Sequence, residues 1–243
     1  MVGYRWRPSR GTLVSFGPSL HARGLWDHRG HLQEWEFEAP FTFQFKGPAS
    51  VTVGRLEEFE TFQNLGFREN ASYVYFSSQR LRWMGVDASF VHGTNINFEP
   101  AAGTAPFLRN SDDASLALGF RPTSRLELQE TYLYSRLGTR VTASPSVFNN
   151  HLLRAKMSYQ LTKSLSLRAI VDYGAVLPNP ALTALESSKR ITTDVLLTYL
   201  LRPGTAIYVG YAGDEYLRAM PLEQLSDEEL VAKYRTPERW STS

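Results

Sequence analysis

From Gln33 to Lys46 the chain alternates with a period of two. Trp35, Phe37, Ala39, Phe41, Phe43 and Phe45 hold one parity, while Glu34, Glu36, Glu38, Thr42, Gln44 and Lys46 hold the other. Successive side chains of a strand point to opposite faces, so this run has one aromatic face and one wet face, whereas a helix would mix the two sets. The same alternation returns at Val14–Arg23, Ala114–Phe120, Leu153–Gln160, Leu165–Tyr173 and Ile191–Tyr199. The chain therefore reads as all-β, built almost entirely of strands.

The connections between these runs are of two kinds that take turns. Short ones rich in Pro, Gly, Ser and Thr fall at Arg7–Arg10, Lys46–Ser50, Ser78–Arg80, Arg121–Arg125, Leu161–Ser164 and Arg202–Thr205. Between them lie mostly longer ones, at Asp27–His31, Glu57–Asn70, Phe98–Asp113, Arg136–Ser146 and Gly174–Lys189, and a tail from Asp214. An up-and-down meander of about eleven long antiparallel strands, tight at one rim and looser at the other, follows the pattern of a transmembrane β-barrel. The runs are closer to the roughly 9 to 11 residues of a tilted membrane strand than to the roughly 5 to 6 of a soluble one. A soluble sandwich burying Trp35, Phe37, Phe41 and Phe43 against a second sheet is the alternative architecture. It would suit a carbohydrate-binding or glycosidase-like domain.

In the barrel reading His21, Arg23, Glu34, Glu36, Glu38, Arg154, Lys156, Arg168 and Asp172 face a wet lumen. Trp35, Phe37, Phe41, Phe43, Tyr159, Tyr173 and Tyr199 face lipid, where Trp26, Tyr132 and Tyr134 add to interfacial girdles. Glu130 breaks the pattern, because it shares its parity with Leu126, Leu128, Tyr132 and Tyr134. Either a bulge shifts the face at that point or the strand is shielded. Pairing sums carry the register. A sum of 57 around Asp27–Gly30 sets Arg23 opposite Glu34 and His21 opposite Glu36, and a sum of 326 around Thr162–Ser164 sets Arg154 opposite Asp172.

Composition narrows the function classes. The 243 residues contain no Cys, so disulfides and thiolate chemistry are excluded. A net charge of +2 spread along the chain makes no basic stripe for nucleic acid. The longest near-apolar stretch, Val195–Leu201, is interrupted by Thr198 and is far short of the roughly 20 residues of a spanning helix. Asp27, His28 and His31 resemble half a metal site, yet no second ligand cluster accompanies them, and polar turn residues are the simpler reading. Glu34, Glu36 and Glu38 repeat at about 7 Å and superficially match a glycosidase carboxylate pair, but no apolar pocket is available to raise one of them. No phosphate loop or nucleophile elbow occurs. The expectation is a non-enzymatic protein that uses no cofactor or metal.

Three stretches carry a family resemblance: Leu161–Tyr173, Leu177–Pro180 and Thr193–Tyr211. They resemble the C-terminal outer-membrane-type barrel of bacterial proteins of unknown function whose N-terminal domain is similar to family 9 carbohydrate-binding modules. The resemblance implies residence in the bacterial outer membrane, the lipid bilayer as partner, and a link to saccharide through an N-terminal module. It supplies no catalytic residue. Measured against that family, the chain reads as a fragment lacking the module, the first barrel strands and a closing strand. Residues 1–213 then form the barrel strands and 214–243 an outer loop, with a short helix capped by Ser226 and Glu229. Open edges near both termini are expected.

Overall fold

The computed structural model describes residues 1–138, 146–202 and 204–216. It contains strands β1 (Val2–Gly3), β2 (Leu13–Trp26), β3 (Leu32–Phe45), β4 (Ala49–Phe62), β5 (Leu65–Leu81), β6 (Met84–Asn97), β7 (Phe107–Thr123), β8 (Leu126–Gly138), β9 (Phe148–Gln160), β10 (Leu165–Pro178), β11 (Ser188–Arg202) and β12 (Thr205–Tyr216). Eleven are long, running from 12 to 17 residues, and β1 has only two. They form one antiparallel sheet whose spatial order is the sequence order. Among the described residues there is no crossover, no second sheet and no helix, and β12 pairs with β11 alone. The all-β meander expected from the alternation is what the chain forms.

Three details differ from the sequence reading. The connection placed at Glu57–Asn70 is a two-residue turn, Gln63–Asn64, with β4 and β5 running right up to it. Both turn residues have positive φ, 52° and 63°, as a tight hairpin turn with the strands' own twist requires. Carboxylates on both faces of Glu57–Glu60 had hidden the alternation there. The turn placed at Ser78–Arg80 lies at Arg82–Trp83, beyond a register shift between Ser78 and Leu81. Finally, β12 continues past Asp214 to Tyr216, so the first residues assigned to a tail are strand. Ser226 and Glu229 lie outside the described residues.

The β2–β3 register is also corrected. The observed sum is 59, so Arg23 faces Glu36, His21 faces Glu38 and Ala22 faces Phe37. The turn Asp27–His31 closes through Asp27 N–H to the His31 carbonyl at 2.9 Å, and a shift between Leu25 and Trp26 adds one residue. A two-residue slide preserves parity, so it moves no residue to the other side of the sheet. The β9–β10 register is the expected one, with Arg154 opposite Asp172.

Candidate functional site

Each hydrogen-bonded ladder transfers the face of one strand to the next. Followed from β2 to β11, the ladders put His21, Arg23, Glu34, Glu36, Glu38, Arg154, Lys156, Arg168 and Asp172 on one face. Trp35, Phe37, Phe41, Phe43, Tyr159, Tyr173 and Tyr199 all fall on the opposite face. Four cavities are lined mostly by residues of the polar face, which is therefore the concave one. Residues from β7 to β11, together with Arg82 from the turn after β5, line a single cavity of about 810 Å³ on that side. Side chains also crowd there, where Tyr73 of β5 lies across Gly54 of β4 to donate its hydroxyl hydrogen to Glu38 of β3.

The concave face is charged unevenly. On β3 to β5, Glu34 stands opposite Glu60, Glu36 opposite Glu58, and Glu58 opposite Glu69. Directly opposed like charges destabilise a sheet. Arg23, 2.9 Å from Glu36, is the one basic side chain in an ion pair with these five carboxylates among the described residues. On β9 to β12 the charges alternate in sign. Arg154 binds Asp172 through two parallel bonds of 2.6 and 2.8 Å, and Arg190 binds Asp214 in the same way at 2.8 and 2.6 Å. These forks match the planar guanidinium to the carboxylate. Glu58, Glu60, Glu69 and the Arg190–Asp214 pair escaped the sequence reading. The first three lay inside the supposed connection at Glu57–Asn70, and pairing across β11 and β12 depends on register.

The convex face carries an apolar band ending in a polar belt. On β6 the outward residues run Met84, Val86, Ala88 and Phe90 before His92, and on β8 they run from Leu126 to Tyr134 before Arg136. The belt is internally bonded. Arg55 reaches Glu57, Ser72 and Asn70 at 2.8 to 3.0 Å, His92 meets Asp112 at 2.7 Å, and Tyr132 meets His151 at 2.8 Å. Arg68 lies over the Trp35 ring, 5.7 Å from its centroid. Glu130 sits inside the apolar band opposite Leu118 and Ala155, with no register shift in the β8–β9 ladder. A bulge does not re-aim it.

Asp27 and His31 are engaged within their turn. One oxygen of Asp27 accepts the Arg29 and His31 backbone N–H groups, both at 2.8 Å, and the other lies 3.1 Å from His31 Nδ1. The His31 N–H is the chief cause holding this carboxyl below the ordinary range, against a smaller opposing effect of desolvation. Among the described residues no group of three or more His, Cys, Asp or Glu could hold a metal ion.

Fold and faces together define a single-sheet, two-faced antiparallel meander with a charged concave side. Comparison with protein-family models, with curated proteins and with solved structures yields no match.

Proposed function

We propose that this chain is the wall of a bacterial outer-membrane β-barrel, spanning the bilayer with its convex face in lipid and its concave face toward a water-filled lumen. Its role in this reading is structural and permeative, without catalysis. A link to saccharide through a companion carbohydrate-binding module belongs to the same proposal.

The observation that carries it is the uncovered apolar face. Phe37, Val53, Phe76, Phe90, Leu116, Leu153, Tyr199 and Val209 come from eight different strands and all are exposed, Phe90 to 45%. In water such a continuous surface would be an aggregation liability, because soluble monomers seldom expose more than a few hundred Å² in one patch. Lipid removes that cost. On β8 the band is about 27 Å along the strand, or roughly 20 Å after a tilt near 40°, close to the ~25 Å apolar belt of outer-membrane barrels. A soluble sandwich would need a second sheet over the aromatic face, and the described residues form only one.

Fractionation of a Gram-negative host expressing the chain tests this reading. The expected result is recovery in the outer-membrane fraction, extraction only with detergent, and resistance to alkaline carbonate. Recovery as a monodisperse aqueous species without detergent would overturn it.

A further inference from the structure

The rim of tight turns is strongly basic. Segments 4–16, 42–52, 76–86, 118–126, 158–168, 198–202 and 204–208 belong to the turns at that rim and the strand ends beside them. They contain eleven Lys or Arg, and the nearest carboxylates are Asp87 and Glu127, the next residues along β6 and β8. Four of those arginines, Arg82, Arg121, Arg125 and Arg168, line the concave cavity of about 810 Å³. They arrive from separate elements: the β5–β6 turn, the end of β7, the β7–β8 turn and the first residues of β10. The hydroxyls of Ser158, Ser166 and Thr198 add neutral donors to the same wall.

Glu127 is the one carboxylate lining the cavity, and it is already engaged by Arg121 at 2.9 Å and Gln129 at 2.8 Å. No carboxylate lies within ion-pair distance of Arg82, Arg125 or Arg168 among the described residues. Elsewhere on the concave face Arg23, Arg154 and Arg190 each have one. Guanidinium groups brought together without counter-charge repel one another, and an oxyanion among them converts that repulsion into charge-assisted bonds. Arginine's planar fork suits phosphate oxygens in particular. The volume falls within the usual ~300 to 1,000 Å³ of small-molecule sites.

We propose that this cavity binds a multivalent, phosphate-bearing solute that enters from the tight-turn rim. The occupant is water-soluble, because the cavity opens on the face opposite the apolar band. The site does not depend on what covers the convex face, so its test and the membrane test can fail separately.

Inorganic pyrophosphate is the probe, titrated calorimetrically into protein held in an uncharged detergent, or in plain buffer if fractionation shows the chain to be soluble. The expected result is saturable binding that weakens as salt rises. Arg125→Gln and Arg168→Gln should each weaken it about tenfold, the loss of one charged hydrogen bond. Lys163→Gln, on the same rim but outside the cavity, should leave it within twofold. Glu127→Gln should tighten it severalfold by releasing Arg121, a gain that a misfolded variant would not show. Absence of saturable binding would overturn the proposal. Equal weakening by Lys163→Gln and the cavity variants would also overturn it, since that pattern describes a diffuse basic rim.

Discussion

Gly54 is without a side chain at the one place on β4 where an aromatic ring must cross. A Cβ there would run into the Tyr73 ring, whose hydroxyl is held by Glu38 on the far side of the strand. Tyr73 is 8% exposed, so the ring has little room to swing away. Gly54→Ala is expected to lower the denaturation midpoint, at a cost of about 1 to 3 kcal/mol from overpacking. Added to Tyr73→Ala, the same change should cost almost nothing further. A full, additive loss in the double variant would show that the two residues do not meet. The bidentate Arg154–Asp172 pair works differently. Both side chains are substantially exposed, so its energy is about 0.2 to 1 kcal/mol and its main effect is on register.

Among the elements, two nine-residue loops, 98–106 and 179–187, bear on how the concave face is covered. The β6–β7 loop and the β10–β11 loop meet in an isolated antiparallel bridge, Pro100 opposite Thr183. Ala101 N–H bonds to Leu182 O at 3.3 Å and Ala184 N–H to Glu99 O at 3.0 Å. Pro100 thus sits where no N–H is needed. The Thr183 hydroxyl donates to the Glu99 carbonyl at 2.6 Å, and the Asn97 amide donates to Leu182 O at 2.9 Å. Asn97, Ser111 and Leu137, all on the concave face, are buried near these loops, as is Val147, whose carbonyl accepts the Asn179 N–H. A cysteine at Ser111, 6% exposed, reports on the cover without competition, since the chain has no other thiol. It is expected to react with a water-soluble maleimide at least tenfold more slowly than a cysteine at Ser77, and Thr183→Val should accelerate Ser111→Cys alone. Thr183→Ser, which keeps the hydroxyl, should not. Equal rates at Ser111→Cys and Ser77→Cys would mean that the bridged loops leave the face open.

For the molecule as a whole, the solvent on each face decides stability. Glu130 is the critical reporter, because it lies exposed within the apolar band and has no ion-pair partner among the described residues. In lipid a carboxylate there costs about 1 to 3 kcal/mol, depending on depth. Glu130→Leu is therefore expected to raise the midpoint of denaturant unfolding from lipid vesicles by that amount. In water the same change would enlarge an exposed apolar patch and promote association. A midpoint unchanged in vesicles would count against a lipid-facing β8.

The period of two was legible along the chain, and with it most of the strands, the meander order and which assigned residues share a face. These depend only on local alternation and on neighbouring strands pairing through short turns. All nine polar and seven aromatic positions assigned by parity share their faces for that reason, and even the two-residue error at the β2–β3 hairpin moved none of them. What depends on register and on the meeting of distant turns came only with the fold. Glu58 and Glu69 became neighbours once Gln63–Asn64 proved to be a turn, and no local pattern could announce that positive-φ pair among so many carboxylates. Arg82, Arg121, Arg125 and Arg168 span 87 positions of sequence. They converge because the turns between their strands meet at one rim and the ladders set their side chains toward one cavity, a placement that no single strand encodes.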